Sequence, residues 1–318
     1  MTGNARIRVP ATSANLGPGY DCAGLALDLT DTLEAQLLDA NELEIHVEGE
    51  GAESVPRDDT HLVVRAMARG FADVGQQIPG LRLTCVNQIP HGRGLGSSSA
   101  AIVGGLLLAR QLLSNDGQRL SDERVLELAT ELEGHPDNVA PALLGGVTIA
   151  WTAARSGDSS DGGVGRAIRI RPNSRLQPVV AIPHTPLATQ RARELLPATV
   201  PHADAAANAA RAALLVPALT TNVELLLEAT HDLLHQDYRR FAYPQSHALV
   251  TALRSIGIPA MISGAGPTVI ALGVADTDRD VLAVQTEMIK ALNAQGSVVA
   301  DEFDVRALGL SAAGAHAV

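Results

Sequence analysis

The stretch Pro90-His-Gly-Arg-Gly-Leu-Gly-Ser-Ser-Ser-Ala100 decides how the rest of the chain is read. Gly92, Gly94 and Gly96 open backbone conformations closed to other residues, so consecutive N–H groups can turn inward around an anion. The apolar run from Ser98 to about Leu113 predicts a helix whose unpaired N-terminal amides and positive dipole end face the same point. A phosphate cradle is therefore expected over Pro90, His91, Gly92, Arg93, Gly94, Leu95, Gly96, Ser97, Ser98, Ser99 and Ala100. Two better-known glycine loops are excluded, because no Gly-Lys-Ser/Thr closes the run and the glycine spacing does not complete a dinucleotide fingerprint. The plainer alternative is a glycine-rich turn before a buried helix.

Composition narrows the partners. The chain has 318 residues, enough for two lobes, and its 24 Lys and Arg against 35 Asp and Glu give a net charge of −11. Such a surface disfavours nucleic acid or an anionic membrane as partner, so an anionic ligand has to be held locally. Three Phe, three Tyr and one Trp are too few for the stacking platforms of single-strand binders. Cys22 and Cys85 form neither a disulfide framework nor a zinc cluster, which predicts a reducing cytoplasm. Arg6-Ile7-Arg8-Val9 stands where a signal peptide would be apolar, and no run reaches membrane-spanning length.

Taken in order, Ile7 and Val9 mark a strand feeding the loop Pro10-Ala-Thr-Ser-Ala-Asn-Leu-Gly-Pro-Gly-Tyr-Asp21, rich in polar side chains and turn formers. Strands are predicted over 25–38, 43–47 and 81–85, the first part as an antiparallel sheet, with a helix from His61 to about Asp73. In a helix starting at Ser121, Val125, Leu128, Ala129 and Leu132 form the apolar stripe, and Glu127 lies off it, by spacing alone a solvated glutamate. Gly134-His-Pro-Asp-Asn138 breaks that helix; Asp137 or Asn138 is either a helix cap or part of a site. The Ser-, Gly- and Asp-rich run 155–165 reads as a flexible loop or a joint between lobes. Beyond it follow a strand at 179–182, helices at 189–196, 204–219 and 222–235, and strands at 258–263 and 268–272 around Gly264-Ala-Gly-Pro267. A helix at 276–293 and a strand at 305–310 close an α+β pattern.

These stretches together resemble the small-molecule kinases of the galactokinase, homoserine kinase, mevalonate kinase and phosphomevalonate kinase (GHMP) superfamily, almost end to end. Pro90–Ala100 is similar to its phosphate loop and Ser263-Gly-Ala-Gly-Pro267 to its C-terminal glycine motif, while Pro10–Asp21 and Gly134-His-Pro-Asp-Asn-Val-Ala-Pro141 resemble its homoserine kinases. The resemblance implies a two-lobed α+β fold, with a lobe like the second domain of ribosomal protein S5 over 1–165 and a ferredoxin-like lobe over 166–318. It also implies transfer of the ATP γ-phosphoryl to the hydroxyl of L-homoserine with Mg²⁺, in threonine biosynthesis, by a cytoplasmic homodimer.

Residue by residue, the resemblance assigns Asp21 to the substrate ammonium, Asn15 and Asn138 to the reacting hydroxyl, and His135, Arg193 and Arg239 to the carboxylate, with Thr189 a further contact. Arginine suits a carboxylate because its planar fork makes two parallel hydrogen bonds. Ser98 and Glu127 are implied as the Mg²⁺-side hydroxyl and carboxylate, and His61 stands where relatives place an Asn near the adenine. No lysine in the first motif supplies a general base. Asp137 is the candidate to orient or accept a proton, with Asn138, Asn15 and Arg193 completing the catalytic set. Another small alcohol is the rival substrate, and a non-catalytic metabolite-binding relative the rival from a different class.

Overall fold

A computed structural model describes residues 3–39, 42–154 and 163–318. Alternation of buried Ala5, Ile7 and Val9 with exposed Arg6 and Arg8 sets β1 (Asn4–Ala14) with one face in the core. It is followed by β2 (Ala23–Leu38), β3 (Leu43–Gly49), α1 (Leu62–Asp73), β4 (Gly80–Asn87), α2 (Ser97–Leu112), α3 (Asp122–Glu133), α4 (Pro136–Leu144), β5 (Val147–Ala153) and β6 (Val164–Ile170). The second lobe comprises β7 (Leu176–Pro183), α5 (Thr189–Glu194), α6 (His202–Thr220), α7 (Leu226–Ala229), α8 (Gln236–Arg239), α9 (Pro244–Ser255), β8 (Ala260–Ile262), β9 (Val269–Val274), α10 (Asp278–Gln295), α11 (Ser297–Asp301) and β10 (Phe303–Ala307). A last strand, β11 (His316–Ala317), returns to pair with β1.

Seven strands form the first sheet, ordered β11-β1-β2-β4-β3 with β5 on β2 and β6 on β5. The antiparallel expectation fails at one pair. β3 and β4 run parallel, because the chain between them crosses over through α1 instead of turning back in a hairpin. The second sheet is antiparallel in the order β10-β7-β9-β8, the ferredoxin-like arrangement. Its two faces divide by the period of a strand: Val180 and Ile182 join the main core, Val179 and Ala181 the core under α9 and α10.

Two further expectations need correction. The division after residue 165 falls inside β6, which pairs along its length with β5, and residues 309–318 rejoin the first lobe. The helix expected over 222–235 is only α7, because the Asp232 carboxylate captures the amides of Leu234, His235 and Gln236 and holds the backbone out of helical register. Residues 155–162 of the expected flexible run lie outside the described residues. Among the described residues no helix is long and apolar enough to cross a membrane.

One buried side chain fixes the entry to the glycine loop. Asp31 on β2 accepts the amides of Gln88 and Ile89 through one oxygen, at 2.6 and 2.9 Å. Burial lifts its pKa to about 6 against these two bonds. Because the folded value lies above the unfolded one, its stabilising contribution is complete below the unfolded pKa, near 4, and is lost as pH rises through 6. Asp31→Asn, which keeps the accepting oxygen, is therefore expected to raise Tm by about 5 °C at pH 8 and to change it little at pH 4. Scanning calorimetry at the two pH values checks this.

Candidate active site

Gly92, Gly94 and Gly96 all have positive φ, at 66°, 76° and 72°, and deliver the chain into the first turn of α2. The second lobe holds this loop from across the cleft. The Leu187 amide donates to the Gly92 carbonyl (2.8 Å), the Thr268 amide to the Arg93 carbonyl (3.3 Å), and the Ser263 hydroxyl to the Gly94 carbonyl (2.6 Å). At Gly96 the requirement is absolute: a Cβ would sit 1.9 Å from Thr12 Oγ1, at a backbone angle that side chains rarely adopt. Gly96→Ala is expected to weaken binding of a non-hydrolysable ATP analogue at least about 30-fold, measurable by calorimetry.

Not every loop side chain faces a ligand. Arg93 is spent on structure, donating to the carbonyls of Pro183 (2.9 Å), His91 (2.8 Å) and His184 (2.5 Å). Pro90, Leu95, Ser99 and Ala100 are buried, so Pro90, Leu95 and Ala100 shape the loop instead of presenting a polar group.

Two cavities meet at Ser97 and Ser98, which line both. One, about 280 Å³, is walled by Leu33, Val55, Leu62 and Val63 with His61, Asp31 and His91. His61 is 5% exposed, its Nδ1 has no partner among the described residues, and burial lowers its pKa, so the ring is neutral near pH 7. The other cavity, about 170 Å³, gathers Asn15, Asp21, His135, Asp137, Asn138, Thr189, Arg193 and Arg239 from four separate segments.

Within the second cavity the charges are already arranged in pairs. Arg193 grips Asp21 through two bonds, at 2.6 and 3.1 Å. His135 Nδ1 lies 2.5 Å from Asp137 Oδ1; burial opposes the imidazolium, but that bond prevails and raises the His135 pKa. Ligand atoms of Asp21, His135 and Asp137 all lie within 4.8 Å of one another. Arg239 is 1% exposed and donates through Nε to the Ala192 carbonyl (3.0 Å), one residue from Arg193.

The two asparagines act differently. Asn15, at φ 69°, donates to the Gly264 carbonyl (2.9 Å) and accepts the Asp21 amide (3.0 Å), so it ties the first loop to the second lobe and sets the Asp21 backbone. Asn138 accepts the hydroxyl proton of buried Thr12 on Oδ1 at 2.7 Å, which fixes the amide and leaves Nδ2 as the cavity-side donor.

Glu127 is not part of this site. Its carboxylate is held by Arg124 and Arg166, each at 2.6 Å, on the far side of α3. The Ser98 hydroxyl instead donates to Glu133 Oε1 at 2.6 Å, joined there by Ser99 at 3.0 Å. Six residues separate the two glutamates, so they point to different faces of the helix. The signal for Glu133 was its place, last in α3 and immediately before Gly134-His135. Tyr20 also escaped the sequence reading.

Residues 61–146 match the model of the GHMP kinases N terminal domain, and residues 202–294 that of the GHMP kinases C terminal. The chain is 56% identical over 272 residues to the homoserine kinase of Streptomyces coelicolor, covering 86% of this chain and 85% of that one. The chain belongs to the homoserine kinase family. The homoserine kinase of Streptomyces avermitilis is 55% identical over 84% of this chain and 85% of its own. A crystal structure of homoserine kinase from Cytophaga hutchinsonii superposes with a TM-score of 0.82 at 25% identity, covering 99% of this chain and 97% of that one. The two lobes and the cleft between them are thus those of the GHMP kinases.

Proposed function

We propose that this homoserine kinase family member transfers the γ-phosphoryl of ATP to the side-chain hydroxyl of L-homoserine, giving O-phospho-L-homoserine and ADP. The observation that carries the reading is the Asp21–Arg193 pair inside the small cavity, beside the phosphate loop. A zwitterionic amino acid replaces that internal ion pair with two of its own, its ammonium on Asp21 and its carboxylate on Arg193 and Arg239. Such an exchange avoids leaving either charge unpaired in a half-buried site. A purely anionic alcohol would draw Arg193 away and strand Asp21.

The base of ATP fits the apolar cavity, one wall of which is the neutral His61 ring. Its phosphates then reach the amides of residues 94–98 at the start of α2. Ser98 and Glu133 supply hard oxygen donors at that turn, a sparse set that suits Mg²⁺ shared with nucleotide phosphates. When bound, the ion neutralises charge on the β- and γ-phosphates. Asn138, fixed by Thr12, holds the acceptor hydroxyl in line. The hydroxyl oxygen forms the new bond to phosphorus as the bond to ADP breaks, and the hydroxyl proton passes to solvent or Asp137. A loose transition state needs little base assistance, so positioning and charge neutralisation are sufficient.

ADP release from Mg-ATP, assayed with L-homoserine, D-homoserine, L-serine, mevalonate, shikimate, pantoate and galactose, tests the reading. Turnover confined to L-homoserine is the expected result; turnover with an alcohol lacking an ammonium group would overturn it. We also infer a cytoplasmic homodimer. Leu282 and Ile289, two turns apart on α10, and nearby Val298 leave apolar surface exposed, and sedimentation velocity checks the mass.

A further inference from the structure

The geometry points to Tyr20 as a third donor to the substrate carboxylate, beside Arg193 and Arg239. Tyr20 lines the small cavity between the two arginines. Arg193 donates to its hydroxyl oxygen at 2.9 Å, and Arg239 approaches the same oxygen at 3.5 Å. Both guanidinium groups also lie near its ring, 5.7 and 5.5 Å from the centroid, and the ring packs on buried His235 at 5.2 Å. His235 in turn lies 2.9 Å from the Gly17 carbonyl through Nε2 and is fully buried, so the ring rests on a fixed support.

A phenol hydroxyl has one proton to give and two lone pairs to receive. Here both lone pairs face cations that can only donate. The proton has no acceptor among the described residues, and the nearest carboxylate, Asp21, already has both oxygens on Arg193. Burial raises the Tyr20 pKa, which keeps the proton in place across the neutral range. An anionic acceptor arriving between the two arginines is what this hydroxyl is oriented to meet. Tyr20 therefore selects for a free carboxylate on the substrate, independently of the ammonium contact at Asp21. The inference rests on the reading of the cavity as an amino-acid site.

Calorimetric titration of L-homoserine and of L-homoserine methyl ester into the full-length wild-type protein and Tyr20→Phe tests it, with Tm and ATP affinity recorded in parallel. Tyr20→Phe keeps the ring, its packing on His235 and the ring-face contacts of both arginines, and removes the hydroxyl with the oxygen to which they donate. The Kd for L-homoserine is expected to rise at least about 10-fold in the variant, while the ester, which offers no anion, binds both proteins alike. Equal weakening for both ligands would reduce Tyr20 to packing, and no weakening for either would leave its proton without a role; either result overturns the inference. Failure of the wild-type protein to bind or turn over L-homoserine would instead overturn the amino-acid reading of the cavity, and the Tyr20 role with it.

Discussion

Glu133→Gln is expected to lower kcat about 100- to 1000-fold, while Glu127→Gln leaves it within about 2-fold of wild type. Both changes remove one carboxylate charge from the same helix, so general electrostatics cannot produce the contrast. The difference lies in what each group faces. Glu133 accepts two hydroxyl bonds at the start of α2, where the β- and γ-phosphates and their metal converge in the proposed complex. Gln keeps the size and can still accept from Ser98, but it contributes no charge to a hard cation. The Mg²⁺ concentration giving half-maximal rate should rise in Glu133→Gln, and paramagnetic Mn²⁺ titration of the nucleotide complex should show the same weakening without turnover. Glu127 bridges Arg124 and Arg166, so its replacement is expected to appear as a lower Tm with unchanged kinetics.

The second large effect is at Asp21. Asp21→Asn should reduce kcat/KM for L-homoserine at least about 100-fold, with KM for ATP unchanged. The loss has two sources: the ammonium meets an amide instead of a carboxylate, and Arg193 loses the partner that holds it in place before substrate arrives. Steady-state rates with 4-hydroxybutyrate separate them. That alcohol has no ammonium, so a variant with the negative charge removed should process it at least as well as wild type does. A loss as large as that seen with L-homoserine would show that Asp21 acts only by positioning Arg193.

Much of this arrangement was legible because glycine, proline and short polar residues mark backbone geometry directly. The phosphate loop, the turn at Gly264–Pro267 and the capping region of α4 were located from such residues, and the structure brings all three to one cleft. What could not be read was which side chain on a helix faces that cleft. Glu127 and Glu133 are both polar positions flanking an apolar stripe, and periodicity identifies the buried face without ranking the others. Tyr20 was hidden for another reason: its role depends on Arg193 and Arg239, 173 and 219 residues away in the chain. The parallel β3–β4 pair shows the same limit, since alternation specifies a strand and is silent on its direction.

The return of the C-terminal segment to the first sheet changes how the cleft can open. Leu308 still donates to Pro178 of β7; beyond it Gly309 accepts from Asp28, the Ser311 carbonyl accepts from Gly146, and Ala315 donates to Ala142 before β11 joins β1. The ferredoxin-like part is thus an insertion, entered after β6 and left after β10, so the covalent chain crosses between lobes twice. A body hung on two pivots turns about the line through them and resists twisting about any other. Arg193 and Arg239, both carried by the inserted part, are thereby held as one unit against Asp21 and Tyr20 of the first lobe.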